Sequence, residues 1–343
     1  MPPLVNAPTY PLRSTCAILP QGSMPADSSA PSKLSFEAFI GTCTPLMKFP
    51  ELEVVMRQRV EGIVRNLLGF QPDDDPVQRL TQFLRQDRDF LGVLLALTNL
   101  SQERFLRIIT AQRFAAGDYK PEWGIDTIQR KINSDDQFAG QVAQLFLEGR
   151  NNEKLIQQIA DFYLDQLSLP EKWSELIRDE TLIGSIVRKK LAGEYTDKKG
   201  EAVEQLVSRT IERFAPYQRG QVALVGGKEV DHAVPNLNDP LVMVMVSYME
   251  TTSSSQTTRA NEQREMYLKV LDERGRYPKG QKRAFVNVVD GGGWLARRSD
   301  LRKLYESCDY CLNLKKLDML GQIIRYHVPT QYLKGEANAH NAD

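Results

Sequence analysis

The sequence predicts a mixed β-sheet flanked by helices, preceded by a helical N-terminal region. Three observations support this fold class. Apolar residues recur at helical spacing from Phe49 to about Leu191. Near Gly193 the pattern changes, and short runs typical of strands follow one another between turn signals. One of these runs, Leu241 to Val246, has six consecutive apolar residues, which is typical of a strand buried on both faces.

Composition limits the possible classes of protein. The chain has 343 residues, of which 41% are hydrophobic, so a sizeable core can form. Lys plus Arg equals Asp plus Glu at 44 each, so a DNA-binding face would have to come from local clustering of charge. Four cysteines suit the reducing cytoplasm better than a disulfide framework. No apolar stretch approaches the ~20 residues that cross a bilayer, and no secretory signal is evident, so we expect no membrane association.

The chain is predicted to divide into four segments. Residues 1–32 are rich in Pro, Ser and Ala and are predicted to form a disordered arm. Residues 33–192 form the predicted helical region, in which Ser101 has the position of a helix N-cap. Residues 193–330 form the predicted α/β domain, and residues 331–343 a flexible tail.

The elements of the predicted α/β domain follow one another in a definite order. Gly226 and Gly227 are a strong hairpin signal between the first two strands. A glycine-rich turn after Asp290 ends a later strand. The predicted elements are a helix at 199–214, strands at 221–225, 228–234 and 241–248, a helix at 259–273, a strand at 284–289, a helix at 299–306 and a strand at 310–314.

Polar residues on these elements are candidates for chemistry. Glu204 lies on the polar stripe of the first helix. Glu229 and Asp231 point to the same face of their strand, as do Met245 and Ser247 on the central strand. Taken alone, the acidic residues are more often part of a solvated surface. The turn after Asp290 lacks the spacing of a nucleotide-binding loop, and the lone C-x-x-C at 308–311 lacks partners for a zinc site.

Taken in order, these segments resemble a known family. The segments are K-G-E-A-V-E (199–204), G-K-E-V-D (227–231), Y-M-E-T-T-S-S-S-Q-T-T (248–258), V-V-D-G-G-G-W (288–294) and C-L-N-L (311–314). Over residues 195–320 the set is similar to type II restriction endonucleases of the PD-(D/E)XK kind, in the group that includes GATC-cutting enzymes. The resemblance implies a restriction-endonuclease-like fold and Mg²⁺-dependent cleavage of double-stranded DNA at a short sequence. It also implies a cognate DNA methyltransferase that acts on the same site.

The resemblance assigns roles to particular residues. In such nucleases a helix glutamate, a strand aspartate and an acidic-x-Lys pair on the next strand surround the metal. Glu204 and Asp231 would be the two acids and the metal ligands. Met245 and Ser247 stand where the second acid and the lysine belong. A thioether is a poor ligand for Mg²⁺, and a serine hydroxyl carries no positive charge.

Three interpretations of this departure remain open. In the first interpretation, the second acid has moved to Glu250 or Glu229, and Lys228 or Gln256 lies near the attacking water. Alternatively, the site uses one metal and two acids. In the third interpretation the domain is inactive and only binds DNA or a defence partner. A helical scaffold with no nucleic-acid role is favoured only by the neutral net charge.

The predicted DNA contacts come from a hydroxyl-rich loop and from basic residues. Small hydroxyl side chains donate hydrogen bonds to phosphate and sugar oxygens. The residues predicted to contact DNA are Ser253, Ser254, Ser255, Arg259, Lys282 and Arg283. Because a palindromic site presents two symmetry-related phosphates, we expect a twofold homodimer.

Overall fold

The computed structural model describes residues 30–71, 74–157, 159–167, 169–170, 172–276 and 283–334. These residues fall into two compact units. Residues 52–195 form a helical unit. Residues 30–51, together with the described residues from 196 onward, form an α/β unit. Among the described residues, no helix has the length and apolar character needed to span a membrane.

The helical unit is built around aromatic and aliphatic side chains. Phe83 stacks on Phe90 with ring centroids 4.6 Å apart, and Trp173 packs edge-on against Phe83. Ser101 Oγ accepts a hydrogen bond from Arg104 N, which confirms the predicted N-cap. The helices are α2 (Pro50–Leu68), α3 (Pro76–Gln86), α4 (Phe90–Leu97), α5 (Gln102–Ala115), α6 (Ile125–Ser134), α7 (Asp136–Glu148), α8 (Glu153–Ile156), α9 (Asp161–Leu164) and α10 (Trp173–Leu176), with α1 described below.

The α/β unit contains a five-stranded mixed sheet in the order β1-β2-β3-β4-β5. Strands β1 to β3 are antiparallel, whereas β3, β4 and β5 are parallel. The predicted mixed sheet flanked by helices is therefore confirmed, with the apolar strand at its centre. Helix α11 (Glu180–Glu212) belongs to the helical unit up to residue 195 and to the α/β unit from residue 196. The other elements of the α/β unit are α1 (Phe36–Thr42), β1 (Gln218–Val222), β2 (Lys228–Val234), β3 (Val242–Tyr248), α12 (Ser255–Arg276), β4 (Ala284–Asp290), α13 (Gly292–Ala296), α14 (Arg298–Glu306), β5 (Tyr310–Leu312) and α15 (Met319–His327).

The two faces of β3 follow its alternating sequence. Val242, Val244 and Val246 pack in one core with apolar residues of α11 and α15. Met243 and Met245 face a second core with apolar residues of α12 and α14. Because successive side chains of a strand point to opposite faces, the run of apolar residues needs helices on both sides of the sheet.

Several element boundaries differ from the predictions. The helix predicted at 199–214 is the C-terminal part of α11, which has 33 residues and continues through Gly193. A glycine inside a helix costs about 1 kcal/mol relative to alanine, which is too little to end a long helix. Residues 223–225 form a 3-10 turn, so β1 begins earlier, at Gln218. The loop predicted up to Arg259 is shorter, because α12 begins at Ser255.

The segment from residue 30 to residue 51 packs with the α/β unit, whereas residues 33–51 were predicted as part of the helical region. Phe36 and Phe39 of α1 are buried with residues of α12, α14 and the sheet. Lys33 Nζ donates hydrogen bonds to Tyr305 O and Cys308 O at 2.5 and 2.6 Å. Most of the predicted arm (1–29) and most of the predicted tail (335–343) lie outside the described residues.

Candidate active site at the end of the β2–β3 ladder

The ladder between β2 and β3 ends close to Asp231. The paired residues run only from Val234 opposite Val242 to His232 opposite Val244. Beyond this point the acceptor is a side chain and not the backbone of β2: Asp231 Oδ2 accepts a hydrogen bond from Val246 N at 2.7 Å. The carboxylate is therefore held where the backbone pairing of the two strands ends.

A cavity of about 470 Å³ opens at this point. It brings together residues from α11, β2, β3 and α12, and it holds acidic and basic side chains close to one another. Its lining consists of Glu204, Lys228, Glu229, Asp231, Met245, Val246, Arg259, Glu262, Gln263 and Met266. The structure thus places Glu204 and Asp231, predicted as the two acids, in the same cavity.

A hydrogen-bonded network supports Glu204. Arg219 Nη1 donates to Glu204 Oε2 at 3.2 Å, and Arg219 Nη2 donates to Ser208 Oγ at 2.8 Å. Ser208 Oγ lies 2.9 Å from His232 Nε2 and donates to the Glu204 carbonyl oxygen at 2.9 Å. The orientation of the Glu204 side chain is therefore set from β1, by a residue adjacent to the irregular step in the β1–β2 pairing.

Burial shifts the pKa of two groups here. Burial raises the pKa of Asp231 above its usual value, and the charge of Glu204 adds to this effect. The hydrogen bond from Val246 N and the charges of Arg259 and Arg219 oppose it. Burial, and then the charge of Arg219, lower the pKa of His232 to about 4. His232 is therefore neutral near pH 7, and its ring completes a hydrogen-bonded support for the neighbouring acids.

Ser247, at the position expected for lysine, holds a cation instead of supplying one. Its buried Oγ accepts hydrogen bonds from Arg259 Nη1 at 2.9 Å and from Trp294 Nε1 at 3.1 Å. Trp294 is itself buried. The guanidinium of Arg259 is thereby fixed at the wall of the cavity.

Residues 178–321 match the DpnII restriction endonuclease family. The matched segment contains every residue that lines the cavity, together with Arg219, Ser247 and Trp294. This match supports a type II restriction endonuclease, and hence a nuclease. No curated protein and no solved structure matches the chain.

Within the DpnII-matched segment, Glu250 and Gln256 do not line the cavity. Glu250 forms an ion pair of 2.7 Å with Lys199, and the two side chains are only 12% and 6% exposed. Tyr248 Oη also donates to Glu250 Oε1 at 2.5 Å. Gln256 is fully buried, and its Oε1 accepts a hydrogen bond from Ser253 N at 2.9 Å. The structure thus brings neither residue together with Asp231. Glu250 is bound to Tyr248 and to Lys199 of α11, and Gln256 is buried beside Ser253.

Lys228 and Glu229 do line the cavity, as one interpretation of the sequence required. Lys228 Nζ lies 3.2 Å from Glu265 Oε2, so its charge is already paired. Glu229 is exposed at the cavity. Either residue is close enough to the cavity to affect a bound phosphate or cation.

The predicted DNA contacts have different environments. Ser253, Ser254 and Ser255 are exposed around the start of α12. Arg283, in contrast, is only 19% exposed and pairs with Asp239 and Glu273 at 2.7 and 2.9 Å. Burial disfavours the charge of Arg283, but the hydrogen bonds and charges of Glu273 and Asp239 together raise its pKa above the usual value. Its guanidinium makes these contacts within the fold, and its role as a DNA contact stays a prediction. Lys282 lies outside the described residues.

The carboxylates of the cavity are compatible with a small divalent cation. The described residues contain no group of three or more His, Cys, Asp and Glu side chains arranged to hold a metal ion. Mg²⁺, however, usually takes one or two carboxylates and completes its shell with waters and substrate phosphates. Asp231 uses one oxygen for Val246 N, and Glu204 faces the same cavity. This donor set fits an open Mg²⁺ site.

Sequence reasoning did not identify Arg219, Ser208 or His232 as a support for the site. His232, which lies among buried residues in the second half of β2, was the one local signal of a buried polar group. Arg219 gave no signal, because it lies in a strand rich in polar residues. Its pairing with Glu204 depends on how α11 packs against β1 and β2.

Proposed function

We propose that this protein is a type II site-specific deoxyribonuclease that cleaves phosphodiester bonds of double-stranded DNA with Mg²⁺ in restriction-modification. One observation carries the proposal. Asp231 is anchored at the end of the β2–β3 ladder and faces the same cavity as Glu204. The position of both residues within the DpnII-matched segment supports the same conclusion.

The residues of the cavity have separate tasks in this mechanism. Asp231 and Glu204 would hold Mg²⁺, which when bound offsets charge on the phosphate and lowers the pKa of the attacking water. Val246 N orients the Asp231 carboxylate, and Arg219 orients that of Glu204. Neutral His232 stays in the supporting network and adds no positive charge beside the acids.

The decisive variant is Asp231→Asn. The asparagine side-chain oxygen can still accept the hydrogen bond from Val246 N, so the fold is expected to persist. Cleavage of unmethylated double-stranded DNA with Mg²⁺ should be lost, because a carboxamide is a weaker ligand than a carboxylate. DNA affinity measured with Ca²⁺ should change little, since phosphate contacts supply most of the affinity.

Asp272→Asn provides the matched control, because Asp272 is exposed, does not line the cavity and pairs with Arg276 on its own helix. This variant should cut at the wild-type rate. Chelation of divalent cations should abolish cutting by the wild type, and added Mg²⁺ or Mn²⁺ should restore it. Undiminished cutting by Asp231→Asn would refute the assigned role.

A second candidate function is DNA binding without cleavage, either alone or with a defence partner. Met245 favours it, since a thioether faces the cavity where an acid is expected. If the wild type binds DNA but does not cut with Mg²⁺ or Mn²⁺, this function replaces the nuclease. Met245→Glu would then test the cause, because a carboxylate at this position should create metal-dependent cutting.

We further propose that the active form is a homodimer in the cytoplasm and that a cognate DNA methyltransferase protects the same sequence. The two strands of a palindromic site present equivalent phosphates, and one catalytic domain attacks one of them at a time. The apolar residues of the helical region are the candidate dimer face. Light scattering with and without a cognate oligonucleotide tests the dimer. A monomer mass in both conditions, with double-strand cutting linear in enzyme concentration, would exclude it.

A further inference from the structure

The cavity contains one cation whose charge is not paired by the fold. Lys228 is paired with Glu265, and Arg219 with Glu204 at 3.2 Å. Within the ranges that the structure describes, Arg259 has no carboxylate at ion-pair distance, and its hydrogen-bond partner is the neutral Ser247. Its charge is therefore available to a ligand that enters the cavity.

The position of this guanidinium is set by buried groups. Arg259 extends from the second turn of α12 toward Ser247 at the end of β3. The Ser247 hydroxyl is shared with the indole N–H of Trp294, which lies fully inside the core. One amino group of Arg259 is used in this way, which leaves the other donors of the guanidinium for a ligand.

Arg259 and Asp231 line the same cavity, together with Glu204. A guanidinium can bind two oxygens of one phosphate through parallel N–H donors, and it keeps its charge at any physiological pH. A phosphodiester drawn to Arg259 would thus lie beside Asp231 and Glu204.

We propose that Arg259 is the catalytic cation that binds the scissile phosphate, in place of the lysine whose position Ser247 occupies. Ser247 is then a positioning residue that acts through Arg259. This inference rests on the proposed nuclease function. It gives Arg259 a different role from that of a general DNA contact, since its main effect is on the rate of cleavage.

The test is single-turnover cleavage at saturating unmethylated double-stranded DNA, combined with DNA affinity in Ca²⁺. Arg259→Ala should lower the cleavage rate by about 10²–10³-fold, the loss typical of one donor to a developing oxyanion. Affinity should fall by about tenfold or less, as expected for one phosphate contact among several. Added guanidinium ion should restore part of the rate of Arg259→Ala, which a purely structural role would not allow.

Three further variants complete the design. Arg259→Lys keeps the charge and should retain more activity than Arg259→Ala. Ser247→Ala should lower the rate less than Arg259→Ala, and it should add little to the loss in the double variant because both act on one contact. Arg264→Ala, an exposed arginine of the same helix that does not line the cavity, should cut like the wild type.

The outcomes separate the two proposals. Wild-type cutting together with an Arg259→Ala rate within threefold of it overturns the role of Arg259 and leaves the nuclease intact. Equal losses in rate and affinity, without rescue by guanidinium ion, also overturn it. A wild type that does not cut overturns the nuclease and the inference together. Circular dichroism of each variant shows whether a loss comes from misfolding, and Arg259→Lys then supplies the comparison.

Discussion

Replacing Asp290 with asparagine is expected to destabilise the α/β unit by about 1–3 kcal/mol. Asp290 ends β4 and is 2% exposed. Its Oδ1 accepts hydrogen bonds from Thr44 N and Gly291 N at 2.7 and 2.8 Å, and its Oδ2 accepts one from Leu314 N at 3.1 Å. One side chain thus binds the adjacent Gly291 N and joins two distant backbone segments, at Thr44 and Leu314, to the end of the strand.

The magnitude follows from the hydrogen bonds that asparagine can keep. Its single side-chain oxygen can retain the bonds from Thr44 N and Gly291 N, but its amino group then faces Leu314 N, which loses its acceptor. A hydrogen bond to a charged group contributes about 1.5–3 kcal/mol. Part of this is offset, because burial raises the pKa of Asp290 and so shows that its negative charge costs free energy in the fold.

The assay is urea denaturation of the full chain, followed by circular dichroism. Asp290→Asn should lower the midpoint with little change in the slope, because the surface exposed on unfolding is nearly the same. The control is Asp318→Asn, an exposed position expected to change stability by no more than about 0.5 kcal/mol. Equal stability of Asp290→Asn and the wild type would show that the three bonds contribute nothing net.

Asp290 also makes the stability of the fold depend on pH, and the direction of its pKa shift determines the sign of this dependence. Burial, partly opposed by the N–H groups of Thr44, Gly291 and Leu314, raises the pKa of Asp290 above 3.8. The folded state therefore holds this proton more firmly than the unfolded state does. The stability gained from protonation is present below 3.8 and is lost as the pH rises through the folded pKa. The advantage of the wild type over Asp290→Asn should thus be larger at pH 4 than at pH 7, and the opposite trend would contradict this reasoning.

Three further predictions concern packing and charge. In Gly293→Ala the new Cβ would lie 2.3 Å from Thr251 O, so the backbone must shift, and the thermal midpoint should fall by an amount equivalent to about 1–3 kcal/mol. In Phe83→Ala the loss of a fully buried ring stacked on Phe90 should cost the helical unit about 3–5 kcal/mol in urea denaturation. Arg283→Gln should lower the denaturation midpoint but leave DNA affinity unchanged, whereas a large drop in affinity would support its predicted role as a DNA contact.

The fold class was predictable because its signals are local. The alternation of valine and methionine along β3 specified which side chains face each core, and the length of the apolar run required cover on both faces. Gly226 and Gly227 marked the turn between β1 and β2. Such patterns depend on the strand and helix periods alone, so neighbouring residues carry enough information to identify them.

The proximity of two acids could also be predicted from the sequence. Glu204 and Asp231 were named from their spacing within the resembling segments, and they line one cavity. The partners of the other candidates were not predictable in this way. Glu250 pairs with Lys199, which is 51 residues away, and Arg283 pairs with residues before β3 and in α12.

By itself the sequence determined the mixed sheet, its central strand and the departure at Met245 and Ser247. Only the tertiary structure decided that the β2–β3 ladder ends at Asp231, that Arg219 holds Glu204, and that Ser247 holds Arg259. The physical reason is that periodicity is a local property of the sequence, whereas contacts join residues that are far apart along the chain. A period fixes the face on which a side chain lies, whereas a contact of about 3 Å between two elements depends on how helix and sheet pack. The same separation explains why Ser247 could be singled out from the sequence, as the residue where the resemblance implies a lysine, while the cation bound to it could not.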